Sequence, residues 1–268
     1  MENLAAHAAQ NLAAVREKRP LIHNITNYVV MNYTANALLA MGASPVMAHS
    51  SDEVEDMVSL ANALVINIGT LSGAWVDAMI AAGKKASELG TPVILDPVGS
   101  GATAYRTQSS KKIIQETKLS VIRGNASEIL SLIDKDAKTK GVDSGCSVTD
   151  AADAAKHIAR QFNTTAAITG QTDFVTDGGR VFSISNGHSM MANITGTGCT
   201  ATAIIGAFLA VDSDPARAAA TALAFFGLAG EIAAQKASAP GSYMIALLDA
   251  LYTITPNQLE GGCKIETS

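Results

Sequence analysis

A glycine-containing turn at residues 193–199 is the strongest chemical signal in this 268-residue sequence. The segment reads NITGTGC and runs into a predicted helix at residues 198–211. Glycine lets a backbone turn sharply with its N–H groups exposed, and a helix N-terminus carries partial positive charge. Gly196, Thr197 and Gly198 are therefore predicted to form an anion hole for a phosphoryl group, with an ordinary helix cap as the alternative. No P-loop lysine follows the turn.

The cysteine at the end of this turn is a candidate reactive group. Cys199 falls in the first turn of the predicted helix. A thiol at a helix N-terminus can have a lowered pKa and can act as a weak base or a nucleophile. The other interpretation is a small buried residue that fills space, and spacing alone favours it.

Polar residues also follow three predicted strands. Asp96 comes after PVIL, Arg123-Gly124-Asn125 comes after SVI, and Thr169 comes after AAI. Ligands of open parallel sheets bind beyond the carboxyl ends of the strands. These side chains are therefore expected on one rim of the sheet, where they could form a site.

The charged residues of this rim suit nucleotide chemistry. Asp96 suits a magnesium ion or a magnesium-bound water, and Glu128 could supply a second carboxylate. Arg123 could clamp a phosphate, and Thr169 could donate a hydrogen bond to one. Each has a structural alternative. Asp96 could cap a turn, and Glu128 could be a first-turn helix acid. Arg123 could form a salt bridge, and Thr169 could simply end its strand.

Residues 23–36 are dense in asparagine and threonine. The neutral polar residues of this segment are Asn24, Thr26, Asn27, Asn32, Thr34 and Asn36. Such residues often only cap helices. A neutral polar cluster also suits the recognition of an uncharged alcohol or a heterocycle.

Short apolar runs that alternate with helical patterns must position these residues. Residues 63–68 are typical of a buried strand, and residues 215–236 are typical of a helix. The alternation predicts parallel βαβ crossovers in an α/β fold, a three-layer α/β/α sandwich with a mostly parallel central sheet. Two glycines between residues 174–177 and 181–185 predict a β-hairpin.

No linker, low-complexity segment or repeat interrupts the sequence, so residues 1–268 are expected to form a single domain. Residues 21–27 are interpreted as the lead into a helix at residues 29–41. The charged and glycine-containing residues 135–148 are expected to form a mobile loop.

The composition argues against several classes of protein. The chain is 48% hydrophobic with a formal net charge of -5 and no basic block, so neither a nucleic acid nor an anionic membrane is an expected partner. It shows no signal-peptide pattern, and no apolar stretch approaches the roughly 20 residues that span a bilayer. Cys146, Cys199 and Cys263 are scattered without zinc-site spacing, which favours a reducing cytoplasm.

Five segments of the chain resemble the hydroxyethylthiazole kinase family of the ribokinase-like superfamily. They are residues 21–47, 94–103, 123–128, 166–170 and 195–199, and they include ILDPVGSGAT, RGNASE and TGTGC. The DPVGSGAT and RGNASE blocks are shared loosely with other vitamin kinases. The ITN, TAN and GASPVM sequences are much more specific to thiazole kinases, and the match runs in order over nearly the whole chain.

The resemblance implies a ribokinase-like fold and transfer of the γ-phosphoryl group of ATP to the primary alcohol of 4-methyl-5-(2-hydroxyethyl)thiazole in thiamine salvage. It also implies a magnesium requirement and a homotrimer whose thiazole pocket lies at the subunit interface. The residues that it assigns are Met47, Gly196 and Asn27 for the thiazole, Arg123, Thr169 and Asn125 for ATP, and Asp96 and Glu128 for magnesium and its waters.

Cys199 stands where the wider superfamily usually has an aspartate base, as is common in thiazole kinases. A loose, metaphosphate-like transition state asks little of a base. We therefore expect Cys199 to orient or weakly activate the substrate hydroxyl, without a covalent intermediate.

Three other functions stay open on the sequence. A hydroxymethylpyrimidine or hydroxymethylpyrimidine phosphate kinase would share the fold. A phosphorylated substrate calls for a cation near Met47, however, and residues 21–48 contain no lysine or arginine. A repair dehydratase for a hydrated nicotinamide nucleotide would be expected to keep an aspartate in place of Cys199. A catalytically silent nucleotide-binding protein is disfavoured by the joint presence of the charged rim residues and the glycine turn.

Overall fold

The computed structural model of the chain describes residues 3–133 and 148–267. Most of the predicted mobile loop, with Cys146, lies outside the described residues. Val148, the last residue of that predicted loop, begins a helix instead.

Eleven α-helices are present in the described ranges. They are α1 (Leu4–Lys18), α2 (Met31–Met41), α3 (Val54–Leu60), α4 (Gly73–Leu89), α5 (Ala104–Glu116), α6 (Ala126–Leu132), α7 (Val148–Phe162), α8 (Thr197–Leu209), α9 (Pro215–Lys236), α10 (Pro240–Thr253) and α11 (Pro256–Gly262). A short 3₁₀ helix, Ser189–Asn193, precedes α8.

Nine strands alternate with these helices. They are β1 (Leu21–Ile25), β2 (Ser44–Val46), β3 (Ala63–Asn67), β4 (Val93–Asp96), β5 (Val121–Gly124), β6 (Thr165–Ile168), β7 (Asp173–Thr176), β8 (Val181–Ile184) and β9 (Ile265–Thr267). All belong to one sheet of order β2-β1-β3-β4-β5-β6-β7-β8-β9. The pairs from β2 to β6 are parallel, and those from β6 to β9 are antiparallel.

Helices cover both faces of this sheet. The apolar side chains of α1, α2, α8, α9, α10 and α11 form one buried cluster, and those of α3 to α7 form the other. This arrangement confirms the predicted three-layer α/β/α sandwich. Gly206 lets the helix α8 pack closely on the middle of the sheet. A Cβ atom at this position would lie only 2.8 Å from Val65 Cγ2.

The helix α9 corrects the expectation that no apolar stretch approaches a membrane-spanning length. Within the described ranges, Pro215–Lys236 is the one helix that is long and apolar enough to cross a bilayer, but 78% of its most apolar window is buried inside the protein. Burial between α1, α8 and α10 explains its composition, since a helix that is apolar all round suits the centre of a large core. Asp214 caps its start by accepting from Ala216 N at 3.1 Å.

The strand β1 corrects the interpretation of residues 21–27, which the sequence pattern does not mark as a strand. His23 and Asn24 interrupt the apolar run, yet both are buried. His23 Nε2 lies 2.8 Å from Ala48 O, and Asn24 Nδ2 donates to Ile22 O at 2.8 Å, so hydrogen bonds offset part of the cost of burying these side chains. His23 Nδ1 and Asn24 Oδ1 have no partner among the described residues. The elements α11 and β9 are also absent from the sequence prediction.

Candidate active site

The carboxyl ends of five parallel strands bring the predicted residues to one rim. Asp96 is the last residue of β4, Arg123 lies one residue before the end of β5, and Thr169 directly follows β6. On the other side of β3, the strands β1 and β2 end just before Thr26 and Met47. The N-terminus of α8, with its glycine turn, lies against the same region, since Gly198 packs on Arg123. The strand-end argument from sequence therefore places these groups correctly with respect to the sheet.

Asp96 is the fully buried carboxylate at the centre of the rim. Its Oδ2 accepts from Asn67 Nδ2 and from Thr202 Oγ1, each at 2.8 Å, and lies 3.6 Å from Arg123 Nη1. Its Oδ1 has no hydrogen-bond partner among the described residues. Burial raises the pKa of Asp96 to about 6, and the Arg123 charge opposes that rise. An unpartnered oxygen on a buried carboxylate suits a cation or a water bound to one.

Arg123 is the buried cation between the strand ends and α8. Its Nη2 donates to Thr169 Oγ1, and its Nε has no partner among the residues described. A Cβ atom at Gly198 would lie 2.7 Å from Arg123 Nη1, so the glycine lets the guanidinium lie directly against the first turn of α8. This places a fixed positive charge next to the predicted anion hole.

Glu128 ties two turns of the rim together. Its Oε1 accepts from Gly99 N and its Oε2 from Asn125 N, both at 2.8 Å. Asn125 Oδ1 in turn accepts from Glu128 N at 2.9 Å, which completes a capping box at the start of α6. The structural alternative of a first-turn helix acid is therefore realised, and each oxygen keeps a lone pair for a further donor.

The glycine turn starts α8 without a side-chain cap. Gly196 has φ +82, a conformation that side chains rarely adopt, and a Cβ atom there would lie 2.5 Å from Val30 Cγ1. Thr197 Oγ1 donates to Met191 O at 3.1 Å, which fixes the chain before the helix. The first backbone N–H groups of a helix have no acceptor within it, so this end of α8 can bind an anion.

Cys199 does not have the lowered pKa that a helix N-terminus can give to a thiol. Burial, with a smaller contribution from Asp96, raises the pKa of the Cys199 thiol to about 11, although Asn67 and Asn27 partly oppose the rise. Asn27 Nδ2 donates to Cys199 Sγ at 3.4 Å. The thiol therefore keeps its proton at neutral pH, because burial outweighs the favourable helix N-terminus.

The residues assigned to the acceptor surround a more open region. Asn27 is buried and Met47 is half-buried, but Tyr28 and Val29 are 65% and 63% exposed. The Tyr28 ring packs on the buried Trp75, with 4.9 Å between ring centroids. This side of the site is lined by neutral groups.

A cavity of about 940 Å³ opens on the other side of the glycine turn. It is lined by all three residues assigned to ATP, Arg123, Asn125 and Thr169. The sequence prediction misses other lining residues, including Asp173, His188 and Phe226. They lie on β7, in the segment before α8 and on α9, where no local motif marks them. A cavity of this size accommodates a nucleotide.

Asn67 and Thr202 are further polar residues that the sequence prediction misses. Both are buried, and both donate to Asp96 Oδ2. Asn67 ends the apolar run of β3 just as Asp96 ends that of β4, and the two residues are paired in register. The strand-end signal that identified Asp96 could also have identified Asn67.

Comparison with known proteins adds family information to this geometry. A model of the hydroxyethylthiazole kinase family matches residues 12–257. A hydroxyethylthiazole kinase of Desulfotalea psychrophila is 63% identical over 268 residues, which cover 100% of this chain and 98% of that protein. The structure of a hydroxyethylthiazole kinase from Pyrococcus horikoshii matches with a TM-score of 0.91 at 46% identity, over 98% of this chain and 99% of that one.

A more distant structure shares the architecture. The pyridoxal kinase from Staphylococcus aureus in complex with pyridoxal matches with a TM-score of 0.66 at 16% identity, over 92% of this chain and 97% of that one. Similarity at this level of identity shows a common fold only.

Proposed function

The chain belongs to the hydroxyethylthiazole kinase family and is a phosphotransferase of thiamine metabolism with a ribokinase-like fold, and we propose how its site phosphorylates the thiazole alcohol. The observation that carries the proposal is the meeting of Asp96, Arg123 and the start of α8 beside a cavity of nucleotide size. ATP would occupy that cavity, and hydroxyethylthiazole would bind near Asn27, Met47 and Gly196. The hydroxyl oxygen then bonds to the γ-phosphorus, the bond to the β,γ-bridging oxygen breaks, and ADP and a proton are released.

The nucleotide is held by groups that favour negative charge. Arg123 and Thr169, which are hydrogen-bonded to each other, would contact the phosphates, and Asn125 lines the same cavity. The N–H groups of Thr197 and Gly198 would receive the charge of the transferred phosphoryl group. Preorganised donors of this kind stabilise the transition state because they need no rearrangement during the reaction.

We propose a magnesium ion at Asp96. When bound, the ion would neutralise charge on the β- and γ-phosphates. The unpartnered Asp96 Oδ1 fits a direct or water-mediated contact, and Glu128 would act through magnesium-bound waters, since both of its oxygens already accept backbone N–H groups. No cluster of three or more metal-binding side chains is present in the described parts of the chain.

Cys199 would position the hydroxyl as a neutral thiol. Its raised pKa keeps it protonated at neutral pH, so almost no thiolate is present to act as a base, and its Sγ already accepts from Asn27 Nδ2. In a loose transition state the hydroxyl proton becomes acidic late, so it can leave to solvent or to phosphate without a strong protein base.

We further propose that residues 1–268 form one kinase domain, which works in the cytoplasm as a homotrimer. The exposed Tyr28 and Val29 beside the buried Asn27 support a subunit contact next to the acceptor. Sedimentation of the purified protein tests the assembly. A mass of three chains is expected, and a monomer with full activity would contradict it.

The reaction is tested by incubating the purified protein with ATP, magnesium and hydroxyethylthiazole, while ADP and the phosphorylated thiazole are both quantified. We expect equal amounts of the two products and no ADP release above background without the thiazole. Hydroxymethylpyrimidine serves as the competing substrate. Turnover with it alone would preserve the site but replace the substrate, and ATP binding without any turnover would indicate a silent nucleotide-binding protein.

A further inference from the structure

A buried amide connects the acidic centre of the site to its acceptor side. We propose that Asn67 is a positioning residue for phosphoryl transfer, which fixes Asn27, and through it the Cys199 thiol, relative to Asp96. The proposal rests on the proposed function, because it assumes that the hydroxyl is phosphorylated between these groups. Asn67 ends β3 next to Asp96 on β4 and is 1% exposed. It therefore acts on the substrates only through the residues that it positions.

The side chain of Asn67 uses both of its polar atoms. Its Nδ2 donates to Asp96 Oδ2 at 2.8 Å, and its Oδ1 accepts from Asn27 Nδ2 and from Gly69 N, each at 2.9 Å. Asn27 Nδ2 also donates to Cys199 Sγ at 3.4 Å. An unbroken chain of hydrogen bonds therefore runs from Asp96 to the thiol.

The direction of this chain is fixed by groups that cannot exchange roles. Gly69 N–H can only donate, so the atom of Asn67 that faces it must be the oxygen. That oxygen can only receive the amide nitrogen of Asn27, whose own oxygen accepts from Val29 N at 3.1 Å. The sulfur of Cys199 is thus presented with an N–H donor in a single, defined orientation.

Asn27 needs such an anchor because it lies at the start of an exposed segment. Tyr28 and Val29, which follow it, are largely exposed. A Cβ atom at Gly69 would lie 2.5 Å from Asn27 Nδ2, so the Asn27 amide is already held against the backbone after β3. Phosphoryl transfer needs the attacking oxygen in line with the leaving group, and a small displacement of the groups that hold it is costly in rate.

The main test is the Asn67→Ala variant, assayed for kcat and for both KM values. We expect kcat to fall by roughly 10- to 100-fold, while the KM for ATP stays within twofold because Arg123 and Thr169 are untouched. Asn67→Asp is the second variant. It keeps the acceptor for Asn27 and Gly69 but loses the donor to Asp96, and it should also lose kcat by tenfold or more. Full kcat in either variant would overturn the proposal.

Asn11→Ala is the matched control for a purely structural effect. Asn11 is also a buried asparagine with two side-chain hydrogen bonds, to Asp212 at 2.9 Å and to Thr221 at 3.2 Å. Asp212 follows the far end of α8 from the glycine turn, so this network is remote from the site. We expect the control to unfold at a lower temperature than the wild type but to keep its kcat. An equal loss of kcat in both variants would reduce Asn67 to a structural role.

A double-mutant cycle with Asn27→Ala tests whether Asn67 acts through Asn27. If it does, the Asn27→Ala/Asn67→Ala protein should be no more than about threefold slower than the slower single variant, since coupled residues are not additive. Multiplied losses would overturn the link. Failure of the proposed function can be distinguished from failure of this inference. A wild-type protein without thiazole-dependent turnover would contradict the proposed reaction. An active wild type with an unaffected Asn67→Ala variant would contradict only the role of Asn67.

Discussion

The proposed nucleotide side and the proposed acceptor side of the site are built differently. The nucleotide side is a cavity within one chain, with the buried Arg123 and the start of α8 facing it. The acceptor side rests on buried amides and a thiol, but the neighbouring Tyr28 and Val29 are exposed. One side relies on charge, and the other on the placement of neutral groups.

This difference follows from the chemistry of the two substrates. A polyphosphate carries several charges, and fixed cations and N–H groups in a low-dielectric site bind it strongly. A neutral heterocyclic alcohol offers little charge, so shape and hydrogen-bond geometry must select it. Substitutions on the two sides should therefore change different kinetic constants.

Asp96→Asn should give the largest loss. Asparagine has nearly the same shape but cannot supply the negative charge for magnesium, so kcat should fall about a thousandfold. Steady-state kinetics at saturating ATP and thiazole measure the loss, and circular dichroism verifies the fold. A kcat within tenfold of the wild type would contradict the central role of Asp96 on both sides of the site.

Arg123→Lys should affect the nucleotide side selectively. Lysine keeps the charge but loses the fork that faces Thr169 and the phosphates, so kcat/KM for ATP should fall about 100-fold. The KM for the thiazole should change by less than about threefold, because the residues proposed to bind that substrate are neutral. Arg180→Lys is the control, since Arg180 pairs with Asp177 and Asp214 on another face. A larger change for the thiazole than for ATP would contradict the division of the site.

Gly196→Ala should affect the acceptor side. The added Cβ meets Val30 at 2.5 Å, next to the residues assigned to the thiazole, so the KM for the thiazole should rise about tenfold. The left-handed backbone should also cost about 1–2 kcal/mol of stability. Gly90→Ala separates the two effects, because Gly90 has φ +72 with nothing within 4 Å. The Gly90→Ala control should lose similar stability while its KM for the thiazole stays unchanged. A similar rise of KM in this control would show that backbone strain, rather than the contact with Val30, raises the KM in Gly196→Ala.

Cys199→Ala should have a smaller effect, with kcat lowered by less than about tenfold. A true general base contributes about 100-fold or more, whereas a neutral positioning group contributes less. Steady-state kinetics with saturating substrates measure it. A loss of 100-fold, or a gain of activity in Cys199→Asp, would instead support a base at this position.

The Cys199 thiol should also react slowly with alkylating reagents. With a pKa of about 11, only about one thiol in a thousand is ionised at pH 8, and the labelling rate should rise about tenfold per pH unit from pH 7 to 10. Peptide mapping after timed iodoacetamide treatment measures the Cys199 rate separately. A rate that levels off below pH 9 would show a more acidic thiol than the buried environment predicts.

The short-range patterns predicted most of the fold. Apolar runs such as that of β3 and glycine stops such as Gly42 mark element bounds because period, length and backbone conformation are local properties. The strand β1 escapes this reasoning, because the polar His23 and Asn24 interrupt its apolar run and the contact of His23 with Ala48 forms only in the folded chain.

The candidate site was predictable to the extent that it follows from strand ends and a helix start. Asp96, Arg123 and Thr169 follow from that rule, since parallel strands deliver their carboxyl ends to one edge. The cavity lining was not predictable, because Asp173, His188 and Phe226 come from elements far apart in the chain.

The sequence by itself determined the α/β architecture, the family and the chemical types of the groups at the rim, because these depend on local pattern and on residue identity. Only the tertiary structure decided what those groups can do. Burial raises the pKa of the Cys199 thiol where its helix position alone suggested a lower one. The partners of Glu128 and the link from Asp96 through Asn67 to Asn27 depend on which side chains the packed core brings within hydrogen-bonding distance. Burial and long-range hydrogen bonds are properties of the assembled core, which no local segment contains.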